Sequence, residues 1–159
     1  MAWDSTLIPM VRNLIGDVAA TSYTDARIKT LCIVSAKLLL TEATFDDTYS
    51  VDVVNETISP DTSSPLDNGF INLLALKTAW VITNSEARTY SLLGVKVVDG
   101  PSSIDFVAGS KAIIERAKDL YNQYEKAKIE HLMHKVGGKA VTTPTTTQAY
   151  GTTSVFNHF

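Results

Sequence analysis

"PSSIDFVAGSKAIIERAKDLYNQYEKAKIEHLMHKV", Pro101 to Val136, carries the longest helical pattern in the chain and decides its fold class. Val97-Val98-Asp99-Gly100 runs into it and stops at Asp-Gly-Pro. Ser102-Ser103-Ile104-Asp105 then has the Ser/Thr-x-x-Asp/Glu form, in which a hydroxyl accepts from free backbone amides and an acid favours the positive helix end. Ser102, Ser103 and Asp105 are therefore read as a structural helix cap. A helix from this point to Val136 is ~50 Å long at ~1.5 Å per residue, more than a small core covers. Its apolar stripe starts with Phe106, Ile113, Ala117, Leu120 and Tyr124 and shifts to Ile129, Leu132, Met133 and Val136. The first half is expected to pack on its own domain and the second half to reach out to a partner.

Upstream, three more helices are legible. Leu7, Met10, Val11, Leu14 and Ile15 recur at helical spacing before Gly16-Asp17, with Pro9 expected to mark the true first turn. Thr24-Asp25 offers a cap and a first-turn acid for a second helix to about Ala43. Its Ile28, Leu31, Cys32, Val34, Ser35, Leu38 and Leu39 are apolar or small nearly all round, so it is expected at the centre of the core. Asp67 caps a third helix through Phe70, Ile71, Leu73, Leu74, Leu76 and Trp80 to about Tyr90, with Trp80 read as core. Between helices, "YSVDVV" (Tyr49–Val54) and "GVKVVDG" (Gly94–Gly100) alternate as strands do and are expected to pair as a two-stranded ribbon. The fold class expected is mainly α: a four-helix bundle-like domain with a long C-terminal helix, a small two-stranded β-ribbon and an extended tail. The helical domain covers residues 1–136 and the tail 137–159.

That tail, "KAVTTPTTTQAYGTTSVFNHF" after Gly137-Gly138, is threonine-rich, has no acid and is too poor in apolar residues to fold alone. Tyr150, Val155, Phe156 and Phe159 near its end suit ordering on another chain's sheet edge or groove. With Ile129, Leu132, Met133 and Val136 they form the expected partner-binding set.

The chain has 159 residues, room for one domain, and 14 basic against 17 acidic residues give a net charge of -3 without a basic run. The electrostatic footprint of a general nucleic-acid binder is missing. Cys32, the single cysteine, lies in an apolar run and reads as a buried small hydrophobe. No segment approaches the ~18 apolar residues of a membrane span, and the N-terminus lacks a basic region and a cleavage site, so a cytosolic place of synthesis is expected.

No catalytic constellation emerges, so no enzyme and no cofactor is expected. His131 and His134 form H-x-x-H beside Glu130, without a HExxH pattern or a cysteine at metal spacing, and read as surface or interface histidines rather than a metal site. "GVKVVDG" lacks the spacing of a phosphate-binding loop. Glu115, Asp119, Glu125 and Glu130 alternate with Arg116, Lys118, Lys126 and Lys128, as on a solvated face or at a register-setting contact between subunits.

In order along the chain, "LIGDVAATSYTDARI" (Leu14–Ile28), "YSVDVVNETISPD" (Tyr49–Asp61), "FINLLALKTAW" (Phe70–Trp80) and "GVKVVDGPSSIDF" (Gly94–Phe106) before a long helix resemble the head-to-tail connector, or adaptor, proteins of tailed bacteriophages. The likeness covers about Leu7 to Val136 and lies in the order of structural elements. It implies a structural virion protein of the neck, made in the host cytoplasm. Such a subunit assembles as a homo-oligomeric ring of twelve under the portal protein and presents a platform to a tail terminator or nozzle. The resemblance further implies no membrane and no sequence-specific nucleic-acid contact, although DNA passes through the ring, and a C-terminal helix and extension that reach toward the portal. The alternative reading is a soluble helical protein-interaction module with a regulatory tail.

Overall fold

Trp3, Leu7 and Val11 are spaced four residues apart, and their burial on one face forms α1 (Trp3–Ile15). The computed structural model describes residues 3–62, 67–92, 97–99, 102–104 and 106–136. Pro9 lies inside α1 rather than in its first turn, because the buried Trp3 anchors a turn upstream of the proline. Gly16 ends the helix at φ +73. Its amide donates to Asn13 O and that of Asp17 to Arg12 O, the paired bonds by which a left-handed residue closes a helix. Asp17 then holds the turn that follows: its carboxylate accepts from the amides of Thr21, Ser22 and Tyr23. Those bonds, that from Ser22 foremost, keep it below the usual carboxylate range.

Thr24 caps α2 (Asp25–Glu42), its hydroxyl oxygen accepting from the Arg27 amide. The helix buries Ile28, Cys32, Ile33, Ser35, Ala36 and Leu39, while Val34 and Leu38 are exposed, so α2 is a flank of the bundle and not its centre. Burial pushes the Cys32 thiol up to about 12, as befits an inert core position. The centre is α3 (Asn68–Leu92), which packs against α1, α2 and α4 (Phe106–Val136). Beside large core side chains such as Phe70, Leu74 and Ile82, it carries buried positions that are small or self-satisfied. Ala75 and Ala79 let neighbours approach, and the buried Thr78 and Thr83 hydroxyls donate to Leu74 O and Ala79 O of their own helix.

The strands pair locally, not with each other as expected. β1 (Ser50–Asp52) pairs antiparallel with β2 (Thr57–Ser59), placing the buried Val51 opposite the buried Ile58. β3 (Val97–Asp99) pairs with β4 (Ser102–Ile104) across two intervening residues. A short loop closes at lower entropic cost than one of some forty residues, and Asp52 drives the first turn, its Oδ1 accepting from the Val54 and Asn55 amides. The second hairpin moves the start of α4 to Phe106, so Ser102 and Ser103 stand in a strand and not at the helix cap. Asp105, directly before Phe106, is outside the described residues, as is the tail.

The described residues form a mainly helical bundle of four helices with small antiparallel hairpins. None of its described helices is long and apolar enough to cross a membrane. Leu74, fully buried in the first half of α3, should cost about 2–5 kcal/mol of unfolding free energy when changed to Ala. Denaturant titration checks this: the midpoint falls while the slope is unchanged, provided the bundle unfolds as one unit.

Candidate functional site

α4 runs antiparallel along α3 and is fastened by a polar junction. Lys77 of α3, 4% exposed, donates from Nζ to Glu42 Oε1 at 2.6 Å, and the buried Tyr124 of α4 donates from its hydroxyl to Glu42 Oε2 at 2.6 Å. Lys128, one turn on, lies 3.7 Å from Glu42 Oε2 and 2.7 Å from Glu125 Oε1. The Lys77 ammonium also sits over the rings of Trp80 and Tyr124 at 4.9 and 4.7 Å. Burial alone would raise the Glu42 carboxyl. The bonds from Lys77 and Tyr124 and the charges of Lys77 and Lys128 outweigh it and hold the group below its ordinary value. Burial and the same carboxylate push the Tyr124 hydroxyl up, so it stays a donor.

A second clamp fixes the end of α4. Phe45, Tyr49 and Phe70 pack ring against ring, Tyr49 stacked on Phe70 at 4.1 Å and Phe45 edge-on to Phe70 at 5.0 Å. Asp67 ties this cluster to the start of α3: its Oδ1 accepts from the Phe70 amide and its Oδ2 from the Tyr49 hydroxyl. The His131 ring lies 5.0 Å from Phe45, with Nε2 3.2 Å from Thr44 O. Gly69 makes room for it, since a Cβ there would stand 2.9 Å from His131 Nδ1. Lys135 reaches Asp46 at 3.3 Å.

The second half of α4 therefore does not project free of the domain. It is docked on one side by Lys128, His131 and Lys135, while Ile129 and Met133, four residues apart, turn outward at 49% and 67% exposure. Leu132 is half-buried. Val136 ends the helix with its side chain outside the described residues. Tyr150, Val155, Phe156 and Phe159 lie outside them too. His134 is exposed and shares a cleft with Asp46, His131 and Lys135. Among the described residues no group of three or more His, Cys, Asp or Glu is arranged to hold a metal.

Two surface features were not anticipated from sequence. Trp80 is half-buried rather than core and, with Tyr121 at a ring separation of 5.3 Å, walls a groove of about 410 Å³ between α3 and α4. Ala87 and Ala117 floor it and Arg88 and Lys118 stand at its rim. The other is the tip of the β1–β2 hairpin, where Val53 and Val54 are exposed. The adjacent valines of "DVVNE" (Asp52–Glu56) were its only sequence signal.

Comparison with family models, with curated proteins and with solved structures finds no match to this chain.

Tyr124→Phe removes one donor from the Glu42 junction and should lower stability by about 1 kcal/mol. Glu42→Ala leaves the Lys77 ammonium buried without its counter-charge. It should cost about 3 kcal/mol, the low end for a broken buried pair because the Glu42 side chain is 32% exposed. A carboxyl with a depressed folded pKa contributes fully above its unfolded value, about 4.5 here, and its contribution is lost as pH falls through the folded value. Thermal melts from pH 7 to 2 should accordingly show a loss of Tm below about pH 4.5 that is shallower in Glu42→Ala.

Proposed function

We propose that this chain is a structural subunit of a tailed bacteriophage neck, a head-to-tail adaptor that forms a ring between the portal protein and the tail. The observation that carries the reading is the presentation of Ile129 and Met133 on a helix whose opposite side is locked by Glu42, Tyr124, Lys128 and His131. Apolar side chains held outward on a rigid support suit docking, because little ordering entropy remains to be lost on binding. The mainly helical bundle with its long last helix agrees with the architecture that the adaptor resemblance implies. In this reading the mechanism is assembly. Ile129, Leu132, Met133 and Val136, with Tyr150, Val155, Phe156 and Phe159 of the tail, become buried against portal or neighbouring subunits. Each side chain that is fully covered contributes about 1.5–3 kcal/mol before ordering costs, and repetition around a ring multiplies weak contacts.

The deciding experiment mixes the purified protein with portal rings from the same source and images the product by electron microscopy. A ring of density capping the tail-facing end of the portal is the expected result. Intact portals that stay bare would sink the adaptor role and leave a helical interaction module with a different partner.

Ile129→Asp combined with Met133→Asp should abolish capping while leaving the thermal melt within a few degrees of the parent, since both side chains are already open to water. Truncation after Gly138 should give a folded subunit that docks more weakly; docking at parental strength would remove the tail from the mechanism.

A further inference from the structure

The tip of the β1–β2 hairpin is built in an unusual way. Tight turns favour Gly, Asn and Asp, yet this one exposes Val53 and Val54 at 50% and 91%. The valines are held firmly. Asp52 Oδ1 accepts from the Val54 and Asn55 amides at 2.9 and 3.1 Å, and its Oδ2 accepts from Asn55 Nδ2 at 2.6 Å. Glu56 adopts φ +49, a left-handed conformation that a residue with a Cβ takes at a cost. Its Oε1 accepts from Thr30 Oγ1 and so ties the tip to α2. The outcome is a rigid apolar knob with a carboxylate on each side, Asp52 before the valines and Glu56 after them.

The groove between α3 and α4 is the converse shape with the converse charge. Its walls and floor are Trp80, Tyr121, Ala87 and Ala117, and its volume of about 410 Å³ has room for two branched side chains. Arg88 and Lys118 at the rim are exposed, and neither has an ion-pair partner among the described residues. Within one copy the described lining comes from α3 and α4 alone, while the knob is tied to α2.

We propose that the Val53–Val54 tip of one copy seats in the α3–α4 groove of a second copy, with Asp52 and Glu56 facing Arg88 and Lys118. A knob on one face and a socket on another make a head-to-tail contact, which closes into a ring when the rotation between copies allows it. The inference deepens the adaptor reading, and rests on it for its setting, by naming the contact between neighbouring subunits of the ring. The apolar part supplies the affinity, and the charge complement selects the orientation and makes association salt-sensitive.

The full chain tests it directly. Sedimentation velocity should show self-association that weakens as salt is raised and that is about tenfold to a hundredfold weaker in Val54→Asp. The paired change Arg88→Glu with Lys118→Glu should weaken it likewise. All three positions are exposed, so circular dichroism should match the parent. Under mild oxidation, a mixture of Val54→Cys and Asn84→Cys subunits should give a mixed disulfide dimer, because Asn84 lines the groove and the native Cys32 is buried. A chain that stays monomeric up to about 1 mM, or cross-links that join only Val54→Cys to itself, would overturn the proposal. So would association indifferent to Val54→Asp, which would place the contact elsewhere. Ring density on the portal without the mixed cross-link overturns this contact and leaves the adaptor reading standing; the cross-link without portal binding does the reverse.

Discussion

The Glu42 carboxylate is the point on which the arrangement of the bundle turns. It is the last residue of α2, it receives the buried ammonium of Lys77 from α3, and it accepts the Tyr124 hydroxyl from α4. Removing an ammonium from water is expensive, and a nearby carboxylate repays that cost only when its geometry is right. The net gain in stability is modest; the gain in definition is larger. Sliding α4 by one turn along α3 would separate Tyr124 and Lys128 from Glu42, take the Tyr124 ring away from the Lys77 ammonium, and carry His131 away from the gap that Gly69 leaves for it. One acid thereby sets the register of three helices.

A second polar centre does comparable work at the other end of the bundle. Arg12, nearly buried, pairs with Asp17 and Asp25 and donates to Tyr23 O, so that the turn between α1 and α2 is folded around one guanidinium. Arg116 of α4 donates to Leu14 O, taking up a carbonyl that the end of α1 leaves unpaired. Tyr23 in turn donates to Glu86 of α3. With α4 held near both of its described ends, the surfaces it contributes are fixed in position: Ile129 and Met133 outward at one end, the groove with Trp80 and Tyr121 toward the other. The hairpin tip is fixed independently through Asp52, Glu56 and Thr30. The bundle thus holds rigid apolar features at spatially separate places, each fixed by its own polar contacts.

Much of the fold was legible locally. Thr24 and Asp67 are caps in the structure as they are in the sequence, since a cap is a bond between residues three apart. Helix spacing identified four helices, and the apolar run around Cys32 correctly indicated a buried thiol. Other readings failed where local pattern has more than one tertiary solution. Alternation in Tyr49–Val54 marks a strand but does not name its partner; Asp52 and its turn chose the neighbouring segment. The Ser102-Ser103-Ile104-Asp105 pattern fits a cap as well as it fits a hairpin arm, and pairing with Val97–Asp99 decided for the arm. Val34 and Leu38 read as core by composition alone, although they stay exposed because α3, not α2, took the centre.

What the sequence determined unaided is whatever depends on neighbours within a turn or two: where α2 and α3 begin, that four segments are helical, that 14 basic and 17 acidic residues form no basic stripe, and that the last helix is long. Only the tertiary structure decided which apolar residues stay exposed and where they stand relative to charge. Those outcomes rest on bonds between residues far apart in the chain, Lys77 to Glu42 across 35 positions, Tyr124 to Glu42 across 82 and Arg116 to Leu14 across 102. Such bonds form only after the backbone entropy of the intervening chain has been given up. Their partners are therefore selected by the packing of the whole bundle, and no local pattern encodes them.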